Sequence, residues 1–407
     1  MMISRSSLFA QVVSRISRRQ FEAAVREHGA QKGAKGFYCW DQFVAMLYAQ
    51  MAGAHSLREI CGGLASALGK LTHLGMQQAP SRSTLSYANA HRSWRVFESV
   101  FYALLGEAQG IAAKRQRRFQ FKNPLRSLDA TVIELCAEVF DWARFQRTKG
   151  AVKLHLMLDH QGCLPCWALV TEGKTHEIHP ARTLRFAPGT IVVVDRGYFD
   201  YALFASWCAA EVFFVTRLKS NALYRVVGKR FLPLGRNILA DEEIVLTGKA
   251  AEGMEQTLRR IVVWDEANQQ EIVLLTNHLD FGSTTVARLY KERWQIELFF
   301  KALKQHLKIK TFVGTSENAV RIQIWTALIA MLLLKTEQLR SKLGWSLSNL
   351  AALLRLNLMT HRDLGEWLDD PYGYSRVDPP EAELPLFANI LDSIRGGHEI
   401  RSCLSGG

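Results

Sequence analysis

An α/β fold flanked by helical regions is what the sequence predicts, on three observations. Thr190 to Asp195 (TIVVVD) is a continuous apolar run, the pattern of a central strand buried on both faces. Val152 to Leu158 and Leu164 to Thr171 alternate or run apolar about a turn signal, Asp159-His160-Gln161-Gly162, and form a hairpin. Before residue 112 and after residue 318 the apolar residues follow helical spacing instead.

At 407 residues the chain can hold two or three domains, and its 48% hydrophobic and 22% charged content is that of a globular protein. A net charge of +13 favours a polyanionic partner. The first residues, MMISRSSLFAQVVSRISRRQF, carry no apolar signal-peptide core. The longest apolar run, Trp325 to Leu334, is too short to span a bilayer and reads as a buried helix, so no membrane partner is expected. Seven cysteines include one CxxC, Cys163 and Cys166, with no second pair nearby to complete a zinc site. Their odd number, without a secretory signal, fits a reducing cytoplasm.

Residues 1–112 read as a helical DNA-binding region. A helix over residues 5 to 30 carries Leu8, Val12, Val13, Ile16 and Phe21 near one face, and Gly29 to Gly36 is a break. Trp40 to Met51 is a strongly apolar helix, with Asp41 suited to its first turn. Ser56 and Glu59 then form a capping box, and Ser81 or Ser83 caps a further helix. Two short helices followed by one rich in polar residues suggest a helix-turn-helix within about 55–95, with Arg82, Ser86, Asn89 and Arg92 facing DNA. A plain helical bundle fits the same pattern. Residues 113–122 (AKRQRRFQFK) are a basic linker that either tracks phosphates, with Phe119 and Phe121 adding stacking, or simply connects.

Within 123–317, Asp129 lies in the strand-like stretch LRSLDATVIEL, with Glu134, Glu138 and Asp141 as rivals. Lys153 and His155 share one side of the hairpin, either near a site or merely exposed. Asp195 ends the buried strand, a costly place for a carboxylate unless it binds something, and strand carboxyl ends are where open α/β sheets hold ligands. A helix over 202–210 and a strand over 211–216 follow, then β-patterned pieces fill about 218–285. One of these carries Trp264, either a core residue or a wedge against an unstacked base.

Tyr290 to Lys308 reads as one helix on which Tyr290, Arg293, Glu297 and Lys304 fall at roughly 0°, 300°, 340° and 320°, a single stripe. Ile296, Phe299, Phe300, Leu303 and Leu307 form the neighbouring apolar stripe. A carboxylate among two cations and a phenol suits a metal ion beside a phosphate; a solvated charged face is the plain alternative. Helices over 318–340 and 345–358 complete the C-terminal region 318–407, with 365–380 turn-rich and the tail frayed.

The spacing of Tyr290, Arg293, Glu297 and Lys304 resembles the signature of the insertion-sequence-four family of bacterial transposases, and Asp195-Arg196-Gly197-Tyr198 resembles that family's second-aspartate motif. Residues 4 to 75 look like the small accessory domain that often precedes such a core. The resemblance implies a ribonuclease-H-like core with a β-rich insertion, in which Asp129, Asp195 and Glu297 are catalytic and bind two Mg²⁺ ions, with Mn²⁺ able to substitute. Tyr290, Arg293, Lys304 and Arg196 would then contact DNA, together with Arg82, Asn89 and Trp264. The implied partners are double-stranded DNA, as terminal inverted repeats and target, and a second copy of the chain when ends are paired. The implied chemistry is cleavage, often through hairpin ends, then strand transfer, in the bacterial cytoplasm at the nucleoid. A nuclease without strand transfer and a non-catalytic DNA-binding regulator are the alternatives.

Overall fold

The computed structural model describes residues 6–372 apart from 68–70, 116–118, 137–139, 141, 143, 147–148, 235, 249–250 and 308–311. The chain opens with six helices: α1 (Leu8–Val13), α2 (Arg18–Glu27), α3 (Cys39–Ala52), α4 (Leu57–Ala65), α5 (Arg82–His91) and α6 (Arg95–Ala113). Strands β1 (Leu125–Cys136), β2 (Arg144–Gln146), β3 (Lys149–Asp159) and β4 (Leu164–Glu172) follow, then α7 (Ile178–Thr183), β5 (Ile191–Val194), α8 (Tyr201–Ala209) and β6 (Phe213–Arg217). Next come β7 (Tyr224–Lys229), β8 (Ile238–Leu246), β9 (Leu258–Asp265) and β10 (Gln270–Thr276). The last helices are α9 (Ser283–Glu292), α10 (Trp294–His306), α11 (Glu317–Arg340), α12 (Leu347–Leu356) and α13 (Leu364–Asp369).

Side-chain caps fix most helix starts. Ser56, Ser81, Ser316 and Ser346 each accept a backbone N–H at the head of α4, α5, α11 and α12. The helix expected over 5 to 30 is two helices, because Ser17 caps a second start and accepts from the backbone of Gln20. A helix also stands in the stretch read as turn-rich after 365: Asp363 caps α13, whose Trp367 is buried. The rest of that stretch, from 373, and the tail lie outside the described residues.

β1 pairs antiparallel with β3 and parallel with β5, β3 pairs antiparallel with β4, and β5 pairs parallel with β6. The order β4-β3-β1-β5-β6, with these directions, is the ribonuclease-H-like sheet. β10 then pairs antiparallel with β6, and β9, β8 and β7 continue outward. The β-rich segment between Asp195 and Glu297 therefore extends the core sheet to ten strands. Asp241 and Arg259 form a fully buried ion pair inside it, Oδ2 to Nη2 at 2.6 Å. The same guanidinium donates to the carbonyls of Leu279 and Phe281, tying the extension to the loop that leads into α9.

One face of the sheet, bearing Leu154, Leu156 and Leu158, shares a core with the N-terminal helices, α10 and the C-terminal helices. α11 runs through the middle of that core, with Trp325 to Leu334 all buried. Among the described residues it is the one helix long and apolar enough to cross a membrane, and it lies inside the protein. The start of α1 meets the segment after α12: the backbone N–H groups of Leu8 and Phe9 donate to the carbonyls of Thr360 and Leu358. Asn318 bonds the backbone of Asn89, Arg92 and Trp94, locking α5 and α6 to the head of α11.

Candidate active site

β1 and β5 run side by side in register Leu128↔Val194, so Asp129 and Asp195 follow on adjacent strands at the same level. Asp129 sits within a long strand, its carboxylate mostly covered at 17% exposure and accepting the N–H of Ala130 at 2.7 Å. Burial pushes its carboxyl up to about 7, and the charge of Asp195 adds to this, while the Ala130 N–H and Arg293 oppose it. Asp195 is the first residue beyond its strand and accepts the N–H of Gly197 at 2.8 Å. A Cβ on Gly197 would come to 3.0 Å from Oδ1 of Asp195, so a larger residue there would press on that carboxylate. The hydroxyl of Thr216 donates to the Asp195 carbonyl at 3.1 Å and fixes the strand end to β6.

Glu297 projects from the first turn of α10, whose Ile296, Phe299, Phe300 and Leu303, with Leu307 just past its end, are buried as the apolar stripe expected. The helix expected over 290–308 is interrupted at Arg293, where α9 ends and α10 begins. Arg293 keeps helical dihedrals, but the bonds on either side (Arg293 N–H to Tyr290, Ile296 N–H to Arg293) span three residues, a locally tightened turn. Residue 308 lies outside the described residues.

Arg293 joins the acids. Its Nη1 lies 2.6 Å from Oε1 of Glu297 and 4.0 Å from Oδ2 of Asp129. Burial alone would lower its pKa, but Tyr290, Glu297 and Asp129 hold it above the usual value. Its Nε is buried with no hydrogen-bond partner, as is that of Arg217 at the end of β6. Both guanidiniums lie over the buried ring of Tyr290, at 5.6 and 5.7 Å. Lys304, further along α10, donates to the Val132 carbonyl on β1 at 3.2 Å. Asp129 in the body of β1, Asp195 just past the end of β5 and Glu297 on α10 are three oxygen-donor side chains, a donor set that fits a hard divalent cation. Among the described residues no three acidic, histidine or cysteine side chains are already gathered closely enough to hold one.

Other sequence expectations land elsewhere. Lys153 and His155 do share a side, but the register pairs them with Val132 and Ala130, placing them on the face opposite Asp129. There His155 meets Thr171, while Lys153 pairs at 3.4 Å with Glu177, whose charge acts on Asp129, so the Lys153 ammonium still reaches the neighbourhood of the acids. Asn89 faces inward: it is buried, and its side chain accepts from Gln42 at 2.8 Å, so it offers nothing to solvent. Arg92 is also turned in, toward the Phe37 carbonyl. Arg82, Ser86 and Arg196 are exposed. Phe119 and Phe121 stack on each other at 4.9 Å, and Phe121 on Phe281 at 5.1 Å, so the linker's rings are packed rather than free. Trp264 is half-buried on β9. Glu134 is exposed on β1, and Glu138 and Asp141 lie outside the described residues.

Three residues near the acids were not singled out from the sequence. Arg217 ends a buried strand beside Asp195, the same signal that marked Asp195 itself. The hydroxyl of Tyr198 is buried without a hydrogen-bond partner; burial and the charges of Glu177, Asp129 and Asp195 push its pKa well up. Tyr198 was visible in the Asp195-Arg196-Gly197-Tyr198 string, but nothing local in the sequence signals Glu177.

A mixed sheet that sets two aspartates on adjacent parallel strands, with a glutamate on the helix packed against it, defines a ribonuclease-H-like protein of the DDE class. The profile of the transposase DDE domain matches residues 120–333, and the chain belongs to that family. A domain of unknown function matches residues 4–77. The chain is 32% identical over 290 residues to the protein of Sinorhizobium fredii named as transposase y4zB, spanning 70% of this chain and 80% of that one. It is 29% identical to the protein named as the transposase of insertion sequence element IS5377 in Geobacillus stearothermophilus, spanning 59% of this chain and 64% of that one. A protein of Synechocystis named as the transposase of insertion sequence element IS4SA is 28% identical, with 62% and 70% spanned. The chain is thus a protein of the transposase DDE family, and two of these relatives are named for insertion sequence elements.

Proposed function

We propose that this transposase cleaves DNA at the terminal inverted repeats of its insertion sequence and joins the freed 3′ ends to target DNA, with Asp129, Asp195 and Glu297 as the catalytic carboxylates. The observation that carries this reading is the meeting of Asp129 and Asp195 at one level of two parallel strands, with Glu297 linked to Asp129 through Arg293. Divalent cations, Mg²⁺ or Mn²⁺, would be held by these three carboxylates and would activate the attacking oxygen and stabilise the leaving one. The chain's own groups then divide the remaining work. Strand β1 and the end of β5 fix the two aspartates on the sheet, and the apolar face of α10 fixes the position of Glu297. Arg293, Arg217 and Lys304 supply positive charge for phosphate oxygens beside the acids, and Tyr290 holds the two guanidiniums over its ring. Arg82, Arg196 and Trp264 are proposed DNA contacts farther out. By the family resemblance, the proposed reaction extends to ends cleaved through hairpins in a complex of two copies.

The test uses purified protein, a labelled duplex from the DNA flanking the gene, Mg²⁺ and a target plasmid. Wild type is expected to give end cleavage and joined product, with both lost in Asp195→Ala and Glu297→Gln. Cleavage without joining would make the protein a nuclease. Binding without cleavage in the wild type would leave a regulator.

A further inference from the structure

At the outer edge of the sheet the ribbon β7–β8 ends in a loop whose apolar side chains are bare. Phe231 is 101% exposed, Leu234 98% and Leu232 44%, with Pro233 between the two leucines. A soluble surface rarely gathers such side chains without a use. Cations flank them: Lys229 and Arg236 are exposed, and Arg230 is partly so. The nearest acids are engaged, Glu243 with Arg230 at 3.2 Å and Glu242 with Arg260 at 2.7 Å.

Strand register places this tip relative to the acids. Lys229 pairs with Glu242, Glu242 with Arg260, Arg260 with Leu275, and Leu275 with Thr216. Thr216 in turn bonds the backbone of Asp195. One row of the sheet therefore runs from Asp195 to Lys229, and the loop after Lys229 projects from the same end of the sheet as the acids. Five strand steps separate β5 from β7, about 24 Å at about 4.8 Å per step. That is about seven base pairs of duplex.

We infer that the β7–β8 tip is a second DNA contact, inserting Phe231 and Leu234 between base steps about seven base pairs from the reacting phosphate while Lys229 and Arg236 hold the backbone. The inference rests on the function proposed above. Apolar wedges on basic ribbons unstack and kink duplexes in this way, and the contact is largely independent of sequence. The charge on this edge disfavours the other occupant, a second copy of the chain: antiparallel pairing of two β7 strands centred on Val227 would set Arg225 of each opposite Lys229 of the other.

The test is 2-aminopurine fluorescence in the end duplex, with the probe stepped along the positions around seven base pairs from the cut. Ca²⁺ replaces Mg²⁺ to hold the uncleaved complex, and cleavage is scored separately in Mg²⁺. Wild type is expected to brighten the probe at one step. The Phe231→Ala/Leu234→Ala variant is expected to lose that signal and bind the duplex about tenfold more weakly, while its melting temperature stays that of wild type. Phe231→Trp, which keeps an aromatic wedge, is expected to retain the signal. Cleavage by wild type with no unstacking, or unstacking that survives the double substitution, overturns the wedge and leaves the transposase reading standing. A double variant that loses self-association in light scattering but unstacks normally makes the tip a protein interface and also overturns it. Absence of cleavage and binding by wild type removes both readings.

Discussion

Asp129 is placed where its charge costs the fold stability. Burial and the neighbouring charge of Asp195 raise its carboxyl from 3.8 to about 7 in the metal-free protein. The folded state thus holds the proton more tightly than the unfolded chain does. The cost of ionising Asp129 starts as pH rises above 3.8, grows by about 1.4 kcal/mol per pH unit, and is complete above about 7. Its full size is on the order of 4 kcal/mol, and about 2 kcal/mol of it is already present at pH 5. Asp129→Asn keeps the shape and removes the charge, so it is expected to stabilise the metal-free protein while abolishing cleavage. For a 407-residue chain the unfolding entropy is about 0.8 kcal/mol per kelvin, which makes the gain about 5 °C in melting temperature at pH 8 and about 2 °C at pH 5. Calorimetric scans in chelator at the two pH values provide the assay. Equal melting temperatures at pH 8, or a gain that does not grow between pH 5 and pH 8, would refute the reasoning.

Two further substitutions follow from the packing. Arg259→Met leaves Asp241 buried and unpaired and is expected to cost about 3–5 kcal/mol in urea unfolding, most of it recovered when Asp241→Leu is added. Gly197→Ala pushes a methyl group against Oδ1 of Asp195. It is expected to lower the cleavage rate about 10–100-fold with little change in melting temperature.

Much of the core was legible because burial writes itself into short stretches. TIVVVD could only be a strand covered on both faces, and β5 is buried throughout. The apolar stripe of α10 followed from helical spacing alone, and all five of its residues are buried. The serine cap at 56, and that at 81 with Ser83 as its rival, were visible for a similar reason, since capping is local chemistry. What failed depends on partners distant in sequence. Period-two spacing put Lys153 and His155 on one side of β3, but the pairing with β1 decides which side, and it is the one opposite Asp129. Asn89 reads as a polar helix residue, yet Gln42 of α3, 47 positions away, draws it inward. Nothing between residues 218 and 285 says that β10 will join β6 and prolong the sheet. The break at Arg293 is likewise silent in the helical periodicity, because that residue keeps helical dihedrals.

Asp129, Asp195 and Glu297 are proposed to hold a divalent cation together. Iron-directed backbone cleavage tests it most directly: Fe²⁺ with ascorbate and peroxide cuts a polypeptide where the ion is held, and the fragment ends are read by mass spectrometry. Cuts clustered near residues 129, 195 and 297, suppressed together by excess Mg²⁺ and by Asp195→Ala, are the expected result. Cuts at one of the three alone, or at unrelated positions that Mg²⁺ does not suppress, would contradict it.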